Sequence, residues 1–248
     1  NNTSSPSFWD NLFEYTKEIT CDYIENSNND NNNNNNNNND IDSNVCNHHS
    51  SSEPFNGILC FLSKRISETS NLFDSSIVDI KASSTSIKYP SLICDSKSNY
   101  YWSSDNTVNQ WVKIDFKSMM IKITHYSIQT ISRTDSHSHL KNWVLEGTNA
   151  EGFSPNDVQK DIPAIIWESI DNRENDQNLN GLNKICTYEA PLSKKFFRYI
   201  RLKITGPNHS GNYSLALRRI EFFGTIRPIV NKDDEKTQKN SDKSKSKS

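Results

Sequence analysis

Two hydrophobic periodicities divide this chain. Between Ser7 and Glu25, Phe8, Leu12, Thr16, Ile19 and Tyr23 recur at spacings of three and four, which predicts an amphipathic helix with one apolar stripe. Ser7 with Asp10 resembles a capping box, with Asp in place of Glu. Phe55, Ile58, Leu59 and Leu62 predict one more short helical turn. Beyond them the period becomes two. In Gln110–Phe116, Val112, Ile114 and Phe116 share one face and Trp111, Lys113 and Asp115 the other. Ile121 and Ile123 alternate, and then Tyr126, Ile128 and Thr130 do so one residue out of step, which predicts a bulge near His125. Asn142–Thr148, Ile165–Ile170, Phe197–Thr205 and Leu215–Phe223 complete the set of short strands.

No helix of ten or more residues is expected between Ile77 and Phe223. The loops there are rich in Ser, Asn, Asp and Gly. That pattern predicts an all-β fold, an antiparallel β-sandwich or jelly roll, and argues against a parallel α/β sheet.

Composition limits how much of the chain can join that core. Residues 26–40 are almost wholly Asn, with an unbroken run from Asn31 to Asn39, and residues 231–248 are charged and polar. Neither stretch has apolar surface to offset the entropy of ordering a backbone. The expected layout is therefore an amphipathic helix at 1–25, of the kind that could end an upstream domain, a disordered linker at 26–50, a folded domain at 51–226 and a disordered tail at 227–248.

Net charge is −2 at pH 7, which gives no field suited to nucleic acid or to an anionic membrane. No apolar run is long enough to span a bilayer, and the first residues lack the basic start and apolar stretch of a signal peptide. The five Cys are widely spaced with no Cys-x-x-Cys. Free thiols in a reducing, cytoplasmic setting are expected.

Four motifs follow one another in order. Ile80 leads through a polar loop to Tyr89 and Pro90. Tyr101-Trp102 precedes Gln110-Trp111 and Asp115. Thr124-His125-Tyr126 is followed by Asn142-Trp143 and Glu146-Gly147. Arg198-Tyr199-Ile200-Arg201 precedes Leu215, Glu221 and Gly224. In this order they resemble the discoidin domain, also called the coagulation factor 5/8 type C domain, of the galactose-binding-like superfold. The resemblance spans about residues 75–224 and is strongest to the intracellular variant that follows BTB domains in protozoan proteins. It implies a sandwich that binds through loops at one end. It also implies a structural role for one of Arg198 and Arg201, paired with Asp115 or Glu221. Trp111 and Trp143, set inside alternating strands, are expected to be structural too. Secreted relatives join their ends by a disulfide, and Cys60 has no Cys near Gly224 to pair with.

The converging loops would be Ser84–Ser91, Lys97–Ser104, Arg133–Leu140 and Gly206–Tyr213. They offer Tyr89, Tyr100, Tyr101, Trp102, Arg133, His137, His139, Asn208 and His209 as a ligand-binding rim. His137 and His139 share a face without a third metal ligand at a suitable spacing. No metal site, cofactor or catalytic residue is expected, because nucleophile-elbow, P-loop, zincin and dinucleotide motifs are all missing. The expected function is non-catalytic binding of a protein partner, as an adaptor. The alternative is carbohydrate or phospholipid binding, without membrane insertion.

Overall fold

Each alternating strand presents one apolar face, and the fold buries these faces against each other. The structure, a computed structural model, describes residues 18–24, 48–65, 72, 76–95, 98–132, 138–150, 166–192 and 194–229. One sheet holds β1 (Ile19–Tyr23), β2 (His48–Ser51), β6 (Met119–Gln129), β9 (Ile185–Glu189) and β12 (Arg219–Pro228), in the order β2-β1-β12-β6-β9. The second holds β3 (Asp79–Ala82), β5 (Trp111–Asp115), β7 (Trp143–Thr148), β8 (Glu168–Arg173) and β10 (Tyr199–Ile204), in the order β3-β5-β10-β7-β8. A ribbon of β4 (Trp102–Ser103) and β11 (Ala216–Leu217) stands apart. Helix α1 (Ile58–Ser63) packs on β12, and a 3-10 turn spans Pro90–Cys94. Among the described residues every strand pairing is antiparallel except β1 with β2.

The inner faces form one core. Ile121, Ile123, Tyr126, Ile128, Ile220 and Phe222 from the first sheet meet Val112, Ile114, Trp143, Leu145, Ile200 and Leu202 from the second. Phe116 meets Phe222 edge-on with ring centres 6.3 Å apart, and Trp143 meets Tyr188 in the same way at 5.3 Å. The slip in the β6 alternation is a bulge at Thr124, opposite the step from Phe223 to Gly224. Gly224 is needed there. Its φ is +134°, and a Cβ would lie 2.0 Å from the Lys122 carbonyl oxygen. Trp111 and Trp167 sit half-buried outside this core. Trp167 lies against the Arg201 guanidinium, 3.9 Å from its ring centre.

One expectation is overturned. Residues before 18 lie outside the described residues, but the end of the expected helix is strand β1. It pairs Ile19 with Ile226 and Cys21 with Gly224. Ile19 and Cys21 are buried, so the side chains alternate as a strand requires. Ile19 and Tyr23 fit a helical stripe and a strand equally well. The open edge of β12 decides between them by taking up the backbone hydrogen bonds of β1. His48–Ser51, placed in the linker from sequence, pairs in parallel with β1. The sandwich therefore begins at Ile19 rather than 51, and β12 carries it to Pro228. The rest of the linker and the tail from 230 on lie outside the described residues.

Four of the cysteines, Cys21, Cys60, Cys94 and Cys186, are free thiols, and Cys46 lies outside the described residues. Burial pushes the Cys21 thiol up to about 12 and raises Cys94 well above the ordinary range. Thiol titration in denaturant without reductant is expected to recover all five cysteines. Native alkylation near pH 8 should be slow at Cys21 and Cys94, because the thiolate is the reactive form. Recovery of only one or three thiols would show disulfides and defeat the reducing-compartment expectation.

Candidate functional site

The loops on one end of the sandwich are brought together by strand register. The connections β3 to β5, β6 to β7, β8 to β9 and β10 to β12 all turn at that end, where Ala82, Gln129, Trp143, Arg173, Ile185, Ile204 and Arg219 terminate their strands. Hydrogen bonds between loops then fix the cap. The His209 N–H donates to the His139 carbonyl at 3.0 Å, and the Asp176 N–H to the Lys141 carbonyl at 3.0 Å. Asn142 joins two neighbours: its Nδ2 donates to the Pro207 carbonyl at 2.7 Å, and its Oδ1 accepts the Asn175 N–H at 2.8 Å. The Tyr213 N–H donates to Asn106 Oδ1 at 2.8 Å.

Within this cap the rim expected from sequence divides sharply. Tyr89 is 76% exposed, and Tyr100 is 59% exposed. Lys88 links them: it precedes Tyr89 and sets its Nζ 4.6 Å from the Tyr100 ring centre. Trp102 is not on the rim. It is wholly buried, lies in β4 opposite Leu217, and donates from Nε1 to Thr85 Oγ1 at 3.4 Å. Tyr101 is buried against Ile131 and Ala216 in a small second core under the loops. Both were expected at the surface because they lie outside long strands, yet the β4–β11 ribbon turns them inward.

His139 is also buried. Asn208 is buried and organises its own turn. Its Oδ1 accepts from the Ser210 N–H and hydroxyl, each at 3.0 Å, while Nδ2 donates to the Ser214 carbonyl at 3.0 Å. His209 is half-buried, with Nε2 2.8 Å from the Asp176 carbonyl oxygen, so this nitrogen carries the proton. Arg133 and His137 lie outside the described residues.

The structural residues anchor the sheets. Arg198 makes a fork with Asp115, Nε to Oδ1 at 2.8 Å and Nη2 to Oδ2 at 3.1 Å. Arg201 donates from Nε to Glu146 Oε1 at 2.6 Å. Glu221 faces inward instead: it accepts the Leu59 N–H at 2.7 Å, the Cys60 N–H at 3.0 Å and the Phe222 N–H at 2.9 Å, and so holds the start of α1.

Sequence reading missed a polar cluster beside Tyr100. Arg218 donates from Nη1 to Asn183 Oδ1 at 2.9 Å and from Nη2 to Asn99 Oδ1 at 3.1 Å. Its only sequence signal was position, one residue before an alternating strand. The 174–184 loop, which carries Asn183, was also missed. Among the described residues, no group of three or more metal-capable side chains comes together. No helix there is long and apolar enough to cross a membrane.

No family model matches the sequence, and no curated protein matches it significantly. Several solved structures are similar to it. A family 32 carbohydrate-binding module from Clostridium perfringens, in complex with galactose, has a TM-score of 0.41 at 12% identity and covers 61% of this chain and 95% of its own. A chitosan-binding module from a Paenibacillus chitosanase/glucanase has a TM-score of 0.43 at 14% identity, covering 60% and 96%. A striped bass serum fucolectin has 0.42 at 13% identity, covering 60% and 47%. The chain itself is a two-sheet, antiparallel β-sandwich with a loop-built cap.

Proposed function

We propose that this chain is a non-catalytic recognition module of the discoidin type that binds a protein partner, as an adaptor does, through the loop-built cap. One observation supports this reading above others. Loops from both sheets are hydrogen-bonded into a fixed cap that leaves Tyr89 and Tyr100 exposed beside Lys88 and Arg218. Tyr and Arg dominate the binding energy of many protein interfaces, and a cap already ordered loses little entropy on association. The four free thiols support a reducing, cytoplasmic setting.

A lectin-like reading has one observation in its favour: amide and guanidinium groups of Asn99, Asn183 and Arg218 stand next to an exposed ring, a combination suited to sugar hydroxyls. The double variant Tyr89→Ala/Tyr100→Ala separates these readings from a purely structural cap. Both rings are exposed, so its stability should change by no more than about 0.5 kcal/mol per site. Its affinity for a partner captured by the parent chain and then purified should fall at least ten-fold. Unchanged affinity would sink the proposal, and loss of the parent's partner to soluble galactosides would favour the lectin.

A further inference from the structure

Arg173 and Arg201 in the second sheet, and Arg198 just before β10, each sit on a carboxylate: Asp171 at 2.6 Å, Glu146 at 2.6 Å and Asp115 at 2.8 Å. Arg218 is held differently. Its main-chain N–H is fixed on the Gln129 carbonyl at 3.0 Å, and its guanidinium is clamped between the neutral amide oxygens of Asn183 and Asn99. Asn183 is itself fixed in a left-handed conformation, φ 53°, with its N–H on the Ile131 carbonyl at 3.0 Å. The clamp orients the fork without neutralising it.

A guanidinium has five N–H donors. Two are used by the amides, and Nε is buried without a partner among the described residues. Lys184 follows Asn183 and is exposed, and Lys88 lies on the ring of Tyr100, next to Asn99. Among the described residues, none of Arg218, Lys88 and Lys184 forms an ion pair. Arg218 bears on Asn99, Lys88 on the neighbouring Tyr100, and Lys184 follows Asn183, so among the described residues three cations lie along this cluster with no carboxylate paired to them.

We infer that Arg218 is a carboxylate-recognition residue, and that the ligand is an acidic, Asp- or Glu-containing segment of a protein partner. This rests on the cap being the binding surface. A pre-oriented guanidinium receives a carboxylate through two parallel charge-assisted hydrogen bonds, and its side-chain entropy is already spent. Lys88 and Lys184 add attraction at longer range. Lys88 also occupies a face of the Tyr100 ring, where a sugar would stack, which favours an acidic peptide over an acidic sugar.

The test is an NMR titration of the isotope-labelled full chain, observing the Arg218 Nε–Hε group and the Asn99 and Asn183 side-chain amides. Three probes are used: a capped peptide of Glu and Asp, the same peptide in Gln and Asn, and sodium glucuronate. The acidic peptide is expected to shift all three groups saturably, with affinity falling several-fold as salt rises. The neutral peptide should leave them unmoved. Arg218→Gln should weaken the acidic peptide at least ten-fold, and Arg218→Lys, which keeps the charge and loses the fork, should weaken it less. Amide dispersion checks that both variants are folded.

Equal shifts from acidic and neutral peptides would overturn the inference. So would acidic binding that survives Arg218→Gln, a response to glucuronate alone, or no saturable shift at all. If the Tyr89→Ala/Tyr100→Ala variant loses the purified partner while Arg218→Gln retains it, the cap remains the binding surface and only the carboxylate assignment fails.

Discussion

Trp143→Ala is expected to destabilise the fold by about 3–5 kcal/mol, as truncation of a buried large aromatic typically does. Trp143 is wholly buried where the two sheets meet. It also supports a polar chain inside the core. Its Nε1–H donates to the Tyr126 hydroxyl at 2.9 Å, and that hydroxyl donates to Asp171 Oδ2 at 2.7 Å, an atom that also accepts from Arg173 Nε at 2.6 Å. Burial, and then the charge of Asp171, hold the Tyr126 hydroxyl protonated well beyond its usual range, so it remains a donor to the carboxylate. Alanine would open a cavity against Tyr188 and leave this chain short of a donor. Urea denaturation followed by circular dichroism measures the effect. A loss under 1 kcal/mol with an unchanged m-value would show that Trp143 does not carry the inter-sheet core.

Glu221→Ala should cost about as much, for a different reason. The carboxylate gathers three backbone N–H groups from α1 and β12 in the core, and each buried donor left without an acceptor costs about 1–3 kcal/mol. Burial pushes Glu221 up from 4.5 to about 7, against the opposing pull of the Phe222, Leu59, Cys60 and Gly57 N–H groups. The folded chain therefore keeps a proton that the unfolded chain has released between those two values. The contribution of Glu221 to stability should be greatest below pH 4.5, fall as the pH rises to about 7, and level off above it. The fall attributable to this group is on the order of 3 kcal/mol. Glu221→Gln, which cannot ionise, should show a flatter profile over the same window. A parent and a Glu221→Gln variant whose melting profiles run parallel from pH 4.5 to 7 would show that the carboxyl does not titrate there.

Much of the architecture was legible because strands half-buried in a sandwich must alternate. β5, β6, β7, β10 and β12 could be read from Val112, Ile121, Leu145, Leu202 and Phe222 and their neighbours. Even the Thr124 bulge showed as a slip of one residue, because a single added residue moves every following side chain to the opposite face. The convergence of loops at one end was implied by the resemblance to the discoidin domain rather than by the alternation of the strands.

Tertiary pairing decided the rest. Whether Ile19–Tyr23 became helix or strand depended on the free edge of β12, some two hundred residues away, and no local pattern contains that. Exposure within the cap was equally hidden. Trp102 and Tyr100 lie two residues apart in one loop region, yet the pairing of Trp102 with Leu217 buries one side chain completely and leaves the other open. The Arg218 clamp joins Asn99 and Asn183 across separations of 119 and 35 residues. Local sequence sets which face of a strand is apolar, because that depends on a period of two. Contacts between loops depend on where distant strands end, and only the folded sandwich fixes that.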